Sequence, residues 1–308
     1  MQRGIQQVQL RSNVKTKEEA MSALRAVKEA GFAGIELNRF MTHKLPATIR
    51  LFTRLAGMAM GAGGDLPWKE MLAESGLSVI ALHSDLGTLE KNLEDVLKEA
   101  ASYGTRRIVL TGMYHFDYSD DVALTDLIAR LNRVGQTAAD RGYDFLYHNH
   151  NCEFVRIREN SCKAEEKDHA GMVAYDRIIA ETDPALVSFE FDAYWPTETG
   201  ADPLAWMEKL GRRQRLLHLC DRGTRPAGAT ASIRRSGEME LGQGNMPLGK
   251  ILAQAKENAC QAVILEQHDG WMNKNAISSL QVSGAWLKTH LGETAAKAKR
   301  KSEEKGIL

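Results

Sequence analysis

Several features are scarce or missing from this 308-residue chain, and each gap excludes something. The four cysteines, Cys152, Cys162, Cys220 and Cys260, form no Cys-x-x-Cys pair. Their spacing matches neither a zinc module nor a disulfide framework, which fits a reducing compartment. There is no charge surplus: 40 Lys+Arg stand against 40 Asp+Glu. No bulk field therefore draws the protein to nucleic acid or to an anionic membrane. No stretch approaches the roughly 18 apolar residues of a membrane span. The start, Met1-Gln-Arg-Gly-Ile-Gln-Gln, lacks the apolar core of a signal peptide. Nucleotide fingerprints are missing too. Gly61-Ala-Gly-Gly64 has no Lys-Ser/Thr after it and no strand before it, and Leu10-Arg-Ser-Asn-Val carries no Gly-rich turn. The expectation left is a cytoplasmic enzyme for a small molecule, with no nucleic-acid or membrane partner.

What is present is an ordinary globular composition, 43% hydrophobic and 26% charged. The one local basic excess, Lys297 to Lys301, is followed by Glu303-Glu304. It reads as a solvated helix end. The chain divides into one domain over residues 1–292 and a charged C-terminal tail over 293–308.

Short apolar runs alternate with helical patterns along the whole domain. Ile5 to Leu10 predicts a first strand. Thr16 and Glu19 are spaced as a capping box, and Gly31 closes the helix that follows. Gly34 to Leu37 predicts a second strand, with Glu36 near its end. Pro46 to Met60 and Trp68 to Glu74 are helical in pattern, separated by the glycine loop. Leu77 to Leu82 leads into His83. Leu89, Leu93, Val96, Leu97 and Ala100 recur at helical spacing. Further strands are expected at Arg107–Leu110, Tyr143–His150, Leu186–Phe191, Arg215–Leu219 and Ala262–Leu265. Helices are expected at Leu124–Val134, Met172–Ala180, Pro203–Leu210, Leu248–Glu257 and Ala276–Leu291. The segment from Arg222 to Asn245 reads as a long polar loop. About eight strands alternating with about eight helices predict an α/β fold, a single-domain (β/α)8 TIM barrel. A doubly wound open sheet is the alternative.

The densest polar stretch is Leu146 to Phe154, with two histidines, two asparagines and Glu153 in nine residues. Strand alternation puts Leu146, His148 and His150 on one face and Tyr147 and Asn149 on the other. A (β/α)8 barrel takes its catalytic groups from the C-terminal ends of its strands. There the sequence offers Glu36, His83, His148, His150, Glu153, Asp192, His218 and Glu266. Taken singly, a Glu after an apolar run is usually a surface residue and a His a structural one. The last four strands all ending in His or carboxylate point to a catalytic divalent ion of the borderline class.

The chain resembles the xylose isomerase-like TIM barrel family of sugar phosphate isomerases and epimerases. The resemblance rests on Gly34-Ile-Glu-Leu37, Tyr147-His-Asn-His-Asn-Cys-Glu-Phe154, Phe189-Glu-Phe-Asp-Ala-Tyr-Trp195, Leu216-Leu-His-Leu-Cys-Asp221, Glu240-Leu-Gly-Gln-Gly244 and Leu265-Glu-Gln267. It implies one ion, Mn²⁺ first, with Zn²⁺, Co²⁺, Fe²⁺ or Mg²⁺ as alternatives. The implied ligands are Glu153, Asp192, His218 and Glu266, with His150 or His148 as substitutes for Glu153. Glu153, Glu266 and His150 are the implied catalytic groups, and Glu36, His83, His148 and Trp195 the substrate-binding ones. The implied activity is isomerisation or epimerisation of a sugar or keto-sugar through proton abstraction beside a carbonyl and a metal-stabilised enediolate. A lyase performing β-elimination on a 3-keto-glycoside is the alternative. An endonuclease-like or a non-catalytic sugar-binding barrel ranks lower, and homo-oligomers are common among barrels of this size.

Overall fold

The computed structural model describes residues 1–44, 63–113, 115–161, 169–225 and 235–305, with side chains as far as residue 292. The helix expected over Pro46–Met60 lies outside the described residues. Eight parallel strands close into a barrel: β1 (Gln2–Gln6), β2 (Gly34–Asn38), β3 (Ser78–Ser84), β4 (Arg107–Leu110), β5 (Asp144–His148), β6 (Val187–Asp192), β7 (Gln214–Leu219) and β10 (Ala262–Leu265), which returns to β1. A two-stranded antiparallel hairpin, β8 (Asp221–Gly223) with β9 (Gly237–Met239), stands outside it. The expected TIM barrel is therefore the fold.

The helices form where their ends are chemically marked. Thr16 accepts from the Glu19 amide at 3.2 Å and starts the helix Lys17–Glu29, which gives way to Gly31 at φ +95°. Asp85, Asp120 and Asp202 cap the starts of Leu86–Ser102, Asp121–Ala139 and Pro203–Leu210 in the same way. Their apolar faces pack on the outside of the barrel in one continuous cluster.

Inside the barrel a second, separate apolar plug is built from Ile80, Ala81, Val109, Leu146, Leu216, Ala262 and Ile264. Ile80 fills the floor because β2 presents Gly34 there. A methyl on Gly34 would stand 2.7 Å from Ile80 Cγ1. Two residues above the plug the same strands turn polar. Leu146 is followed by His148, Leu216 by His218 and Ile264 by Glu266, each displaced by one strand period. On β3 the step from Ile80 to His83 is three residues. A register shift there, Ile35 opposite Val79 but Leu37 opposite Leu82, inserts one extra residue. That bulge turns His83 toward the barrel interior.

Four expectations on element limits change. The first strand runs Gln2–Gln6 rather than Ile5–Leu10, and residues 7–10 form a 3-10 turn. The turn wins because the Gln6 side chain accepts from the Val8 amide and Gln7 Oε1 takes the Asn38 amide at 2.8 Å. The fifth strand stops at His148, not His150. The loop from Arg222 to Asn245 includes the β8–β9 hairpin. The last helix extends to Lys305 rather than ending at Leu291.

Candidate metal centre

Seven polar side chains converge at the C-terminal end of the barrel, all of them buried: Glu36, His83, His148, Glu190, Asp192, His218 and Glu266. They form two groups. His148, Asp192, His218 and Glu266 offer donor atoms within 4.8 Å of one another at the mouth. His218 Nδ1 lies 2.8 Å from Glu266 Oε2, and His148 Nε2 is 4.0 Å from the same oxygen. Asp192 is steadied by the Tyr194 amide, which donates to its Oδ1 at 2.7 Å. The second group, Glu36, His83, Glu190 and His218, lies alongside and shares His218.

Crowding of like charge marks the mouth as a place for a cation. Burial and the neighbouring Glu266 push the Asp192 carboxyl up to about 8. Glu266 is buried as well, but His218 and His268 beside it hold it well below the usual carboxylate range. His218 rises well above its ordinary value in spite of burial, because Glu190, Glu266 and Glu36 surround it. Two carboxylates and two imidazoles at this spacing are the donor set of a borderline divalent ion, so the residues present fit the ion the fold leads one to expect.

With this geometry in place, relatives give it context. A family model for the xylose isomerase-like TIM barrel matches residues 24–290. The chain belongs to that family. An inosose dehydratase of Clostridium botulinum is 29% identical over 114 residues, which is 37% of this chain and 32% of that protein. The match thus spans about a third of that relative's length. Among solved structures, a sugar phosphate isomerase/epimerase of Parabacteroides distasonis superposes with a TM-score of 0.71 at 20% identity, covering 93% of each chain. A 3-keto-D-glucoside 4-epimerase of E. coli gives 0.60 at 18% identity, covering 94% of this chain and 99% of that one. Among the described residues no helix is long and apolar enough to cross a membrane.

Of the three candidates for the first ligand, Glu153, His150 and His148, the geometry brings His148 into the donor group at the mouth. Glu153 joins neither donor group. Because β5 ends at His148, the chain turns through Asn149, and a 3-10 turn over Cys152–Phe154 carries Glu153 to the opposite face of the strand. There Tyr147 Oη donates to Glu153 Oε1 at 2.8 Å, and the His150 amide donates to Oε2 at 2.9 Å. Tyr118 and Tyr147 share a hydroxyl contact of 2.8 Å that extends the chain outward. His148 occupies the position that Glu153 was expected to fill. Asn149, facing outward, clamps β5 to β6 by accepting from the Asp192 amide at 3.0 Å and donating to the Asp192 carbonyl at 3.1 Å.

Of the other expected residues, His150 and Trp195 stay at the rim. His150 is half-buried, with its ring 4.8 Å from that of His148 and 5.6 Å from Trp195. It is seated over Gly112, where any side chain would meet its ring at 2.9 Å. Burial, and then His148, lower its pKa to about 3. Trp195 also faces His268 at 6.0 Å. Glu36 and His83 lie deeper: Glu36 Oε2 is 2.6 Å from His218 Nε2 and 3.3 Å from His83 Nε2.

Three site residues were not anticipated. Glu190 sits between Phe189 and Phe191 and reads as core, yet it is two residues before Asp192 and so shares its face. His268 stands two residues beyond Glu266, with Nε2 3.3 Å from Glu266 Oε1. Glu238 on β9 contacts His268 Nδ1 at 3.2 Å, and Glu266 and Glu238 raise His268 to about 10 against the effect of burial. No local pattern links Glu238 to the site; only the hairpin does.

Proposed function

We propose that this protein is a divalent-metal-dependent enzyme that removes a proton from the carbon beside a carbonyl in a sugar or keto-sugar. It then completes an isomerisation or epimerisation. The observation that carries this reading is the convergence of His148, Asp192, His218 and Glu266 within 4.8 Å at the barrel mouth. A divalent ion held by these four supplies polarisation of a carbonyl and stabilisation of the negative charge left when the neighbouring proton departs.

The chain's own groups do the rest. Glu266 is the residue placed to accept the proton, since it directly follows β10 at the mouth and keeps a carboxylate oxygen toward His268. His268 and Glu238 behind it hold that carboxylate in one orientation. His150 stands on the other wall, across Trp195; burial and His148 keep its imidazole neutral, and it is placed to orient a substrate hydroxyl by hydrogen bonding. Trp195 offers a flat apolar surface between them for a sugar face. Glu153, in this account, positions His150 through its amide and takes no part in proton transfer.

A second reading, elimination in place of proton return, is favoured by the sequence match to inosose dehydratases. The two share the first step and part at the second. The test is to incubate protein loaded with Mn²⁺, Zn²⁺ or Co²⁺ with keto-sugars, inososes and 3-keto-glycosides in D2O, and to weigh the products. Retained mass plus one deuterium means isomerisation or epimerisation. Loss of water or of an aglycone means elimination. No exchange and no product with any of them would sink both.

A further inference from the structure

Beneath the mouth, Glu36, His83 and Glu190 present a set of donors that the reaction above does not use. The three side chains are 0%, 2% and 0% exposed. His83 Nε2 lies 3.3 Å from Glu36 Oε2 and 3.1 Å from Glu190 Oε2. The Nε2 of His218 is 3.2 Å from Glu190 Oε2. Around a tetrahedral ion with bonds of about 2.0–2.1 Å, donor atoms stand about 3.3 Å apart. The three separations therefore match the edges of a coordination shell.

A second observation is that these groups satisfy one another only in part. Glu190 Oε1 and Glu36 Oε1 are buried with no hydrogen-bond partner, while Glu190 Oε2 lies 3.1–3.2 Å from His83 Nε2, His148 Nδ1 and His218 Nε2. A buried carboxylate with unpartnered oxygens is costly, and proteins rarely leave one so. The groups come from β2, β3, β5 and β6, and the β3 bulge is what aims His83 inward. A bulge that re-aims one side chain is a built feature of a site.

We propose that Glu36, His83 and Glu190 bind a second divalent cation of the borderline class, in addition to the ion at the mouth. Two carboxylates and a neutral imidazole balance the charge of one dication. His218 lies between the two positions, with Nδ1 toward Glu266 at 2.8 Å and Nε2 toward Glu36 at 2.6 Å. Its opposite ring edges thus face separate sites, and its 2.6 Å contact with Glu36 would have to open for Nε2 to join the deeper ion. The deeper ion touches no substrate. It fixes the two carboxylates, which in turn hold the His218 ring from behind.

The test is metal stoichiometry of the full chain, purified metal-free and reloaded with Zn²⁺ or Co²⁺, for wild type, Glu190→Gln and Asp192→Asn. The expected result is two ions per chain in wild type and one in each variant. Co²⁺ spectra should show the remaining ion in a different environment in the two variants. One ion in wild type, still present in Glu190→Gln and lost in Asp192→Asn, overturns the deeper site and leaves the mouth intact. The reverse pattern, one ion lost only in Glu190→Gln, keeps the deeper site and removes the mouth. No ion in wild type overturns both. If Glu190→Gln does not fold, the wild-type count still decides whether two ions bind together: a single ion at saturation overturns a second cation in addition to the one at the mouth.

Discussion

The two halves of the barrel interior are built from the same strands and obey opposite rules. At the floor, Ile80, Leu146, Leu216 and Ile264 fill space and satisfy nothing but contact. One strand period higher, His148, His218 and Glu266 project from the same or the next positions and leave a set of charges that packing cannot satisfy. The lower half contributes stability through the apolar area it buries. The upper half gathers four carboxylates, each of which costs stability unless a cation or a protonated imidazole stands beside it. The lesson is that position along a strand, not residue environment alone, divides structural from chemical duty in this barrel.

The sharpest way to break that division is at the top. Asp192→Asn keeps shape and volume but removes a ligand charge. Turnover should fall by more than about a hundredfold, the upper end of the range for weakening groups around a metal. The melting temperature of the metal-free protein should hold or rise, because Asp192 is crowded by Glu266. Steady-state rates beside a metal-free thermal melt check this. A variant that keeps full turnover would remove Asp192 from the site.

At the floor the reverse is expected. Leu216→Ala, in the fully buried plug, should cost about 2–5 kcal/mol of stability, as other large-to-small core changes do. Turnover per folded molecule should change little. Chemical denaturation with rates measured well below the midpoint gives both numbers. If activity fell while stability stayed, the plug would be part of the site and the comparison would fail.

The pH response should also separate the halves. Burial opposes charge on His83, but Glu190 and Glu36 outweigh it and raise its pKa from 6.5 to about 9. The folded protein then holds a proton that the unfolded chain releases. That contribution is complete below pH 6.5 and is lost as pH rises through 9, a change on the order of 3 kcal/mol. Asp192, raised from 3.8 to about 8, acts in the same direction across its own interval. His150, lowered to about 3, acts oppositely and only as pH falls from 6.5 toward 3. The metal-free protein should therefore lose stability between pH 6.5 and 9, and a bound divalent ion should flatten the loss. Melts at both pH values, with and without Zn²⁺, measure it. A metal-free melting point that rises over this interval would mean that the upper cluster is not protonated as the geometry requires.

The upper half was more legible in the sequence than its depth suggests. Asp192, His218 and Glu266 announce themselves because each follows an apolar run, where a parallel barrel opens. His83 needs a bulge to reach the lumen, and a bulge leaves no mark in hydrophobic pattern. Glu190 was hidden by Phe189 and Phe191, whose size made the segment read as continuous core. The two-residue step to Asp192 was the signal available. His268 and Glu238 meet only because a hairpin folds back over the mouth, which no local spacing encodes. The lower half was easier in kind and harder in limits. The alternation of strand and helix gave the barrel, while side-chain hydrogen bonds from Gln6 and Gln7 shifted where the first strand stops.

Glu153 tests the boundary between the halves and the outside of the barrel. It lies in the expected motif, carries the expected charge and still faces away, because the chain turns one residue after His148. Its two oxygens are already engaged by Tyr147, the His150 amide and Cys152. Glu153→Gln replaces one acceptor by a donor, so one of these buried partners is left unmet at a cost of about 1–3 kcal/mol. Metal content should not change, and turnover should fall far less than in Asp192→Asn. Elemental analysis of the variant reads the point directly. If the mouth ion were lost with Glu153, the carboxylate would have to reach the lumen in the loaded protein. The strand would then have to run on to His150, as alternation alone predicts.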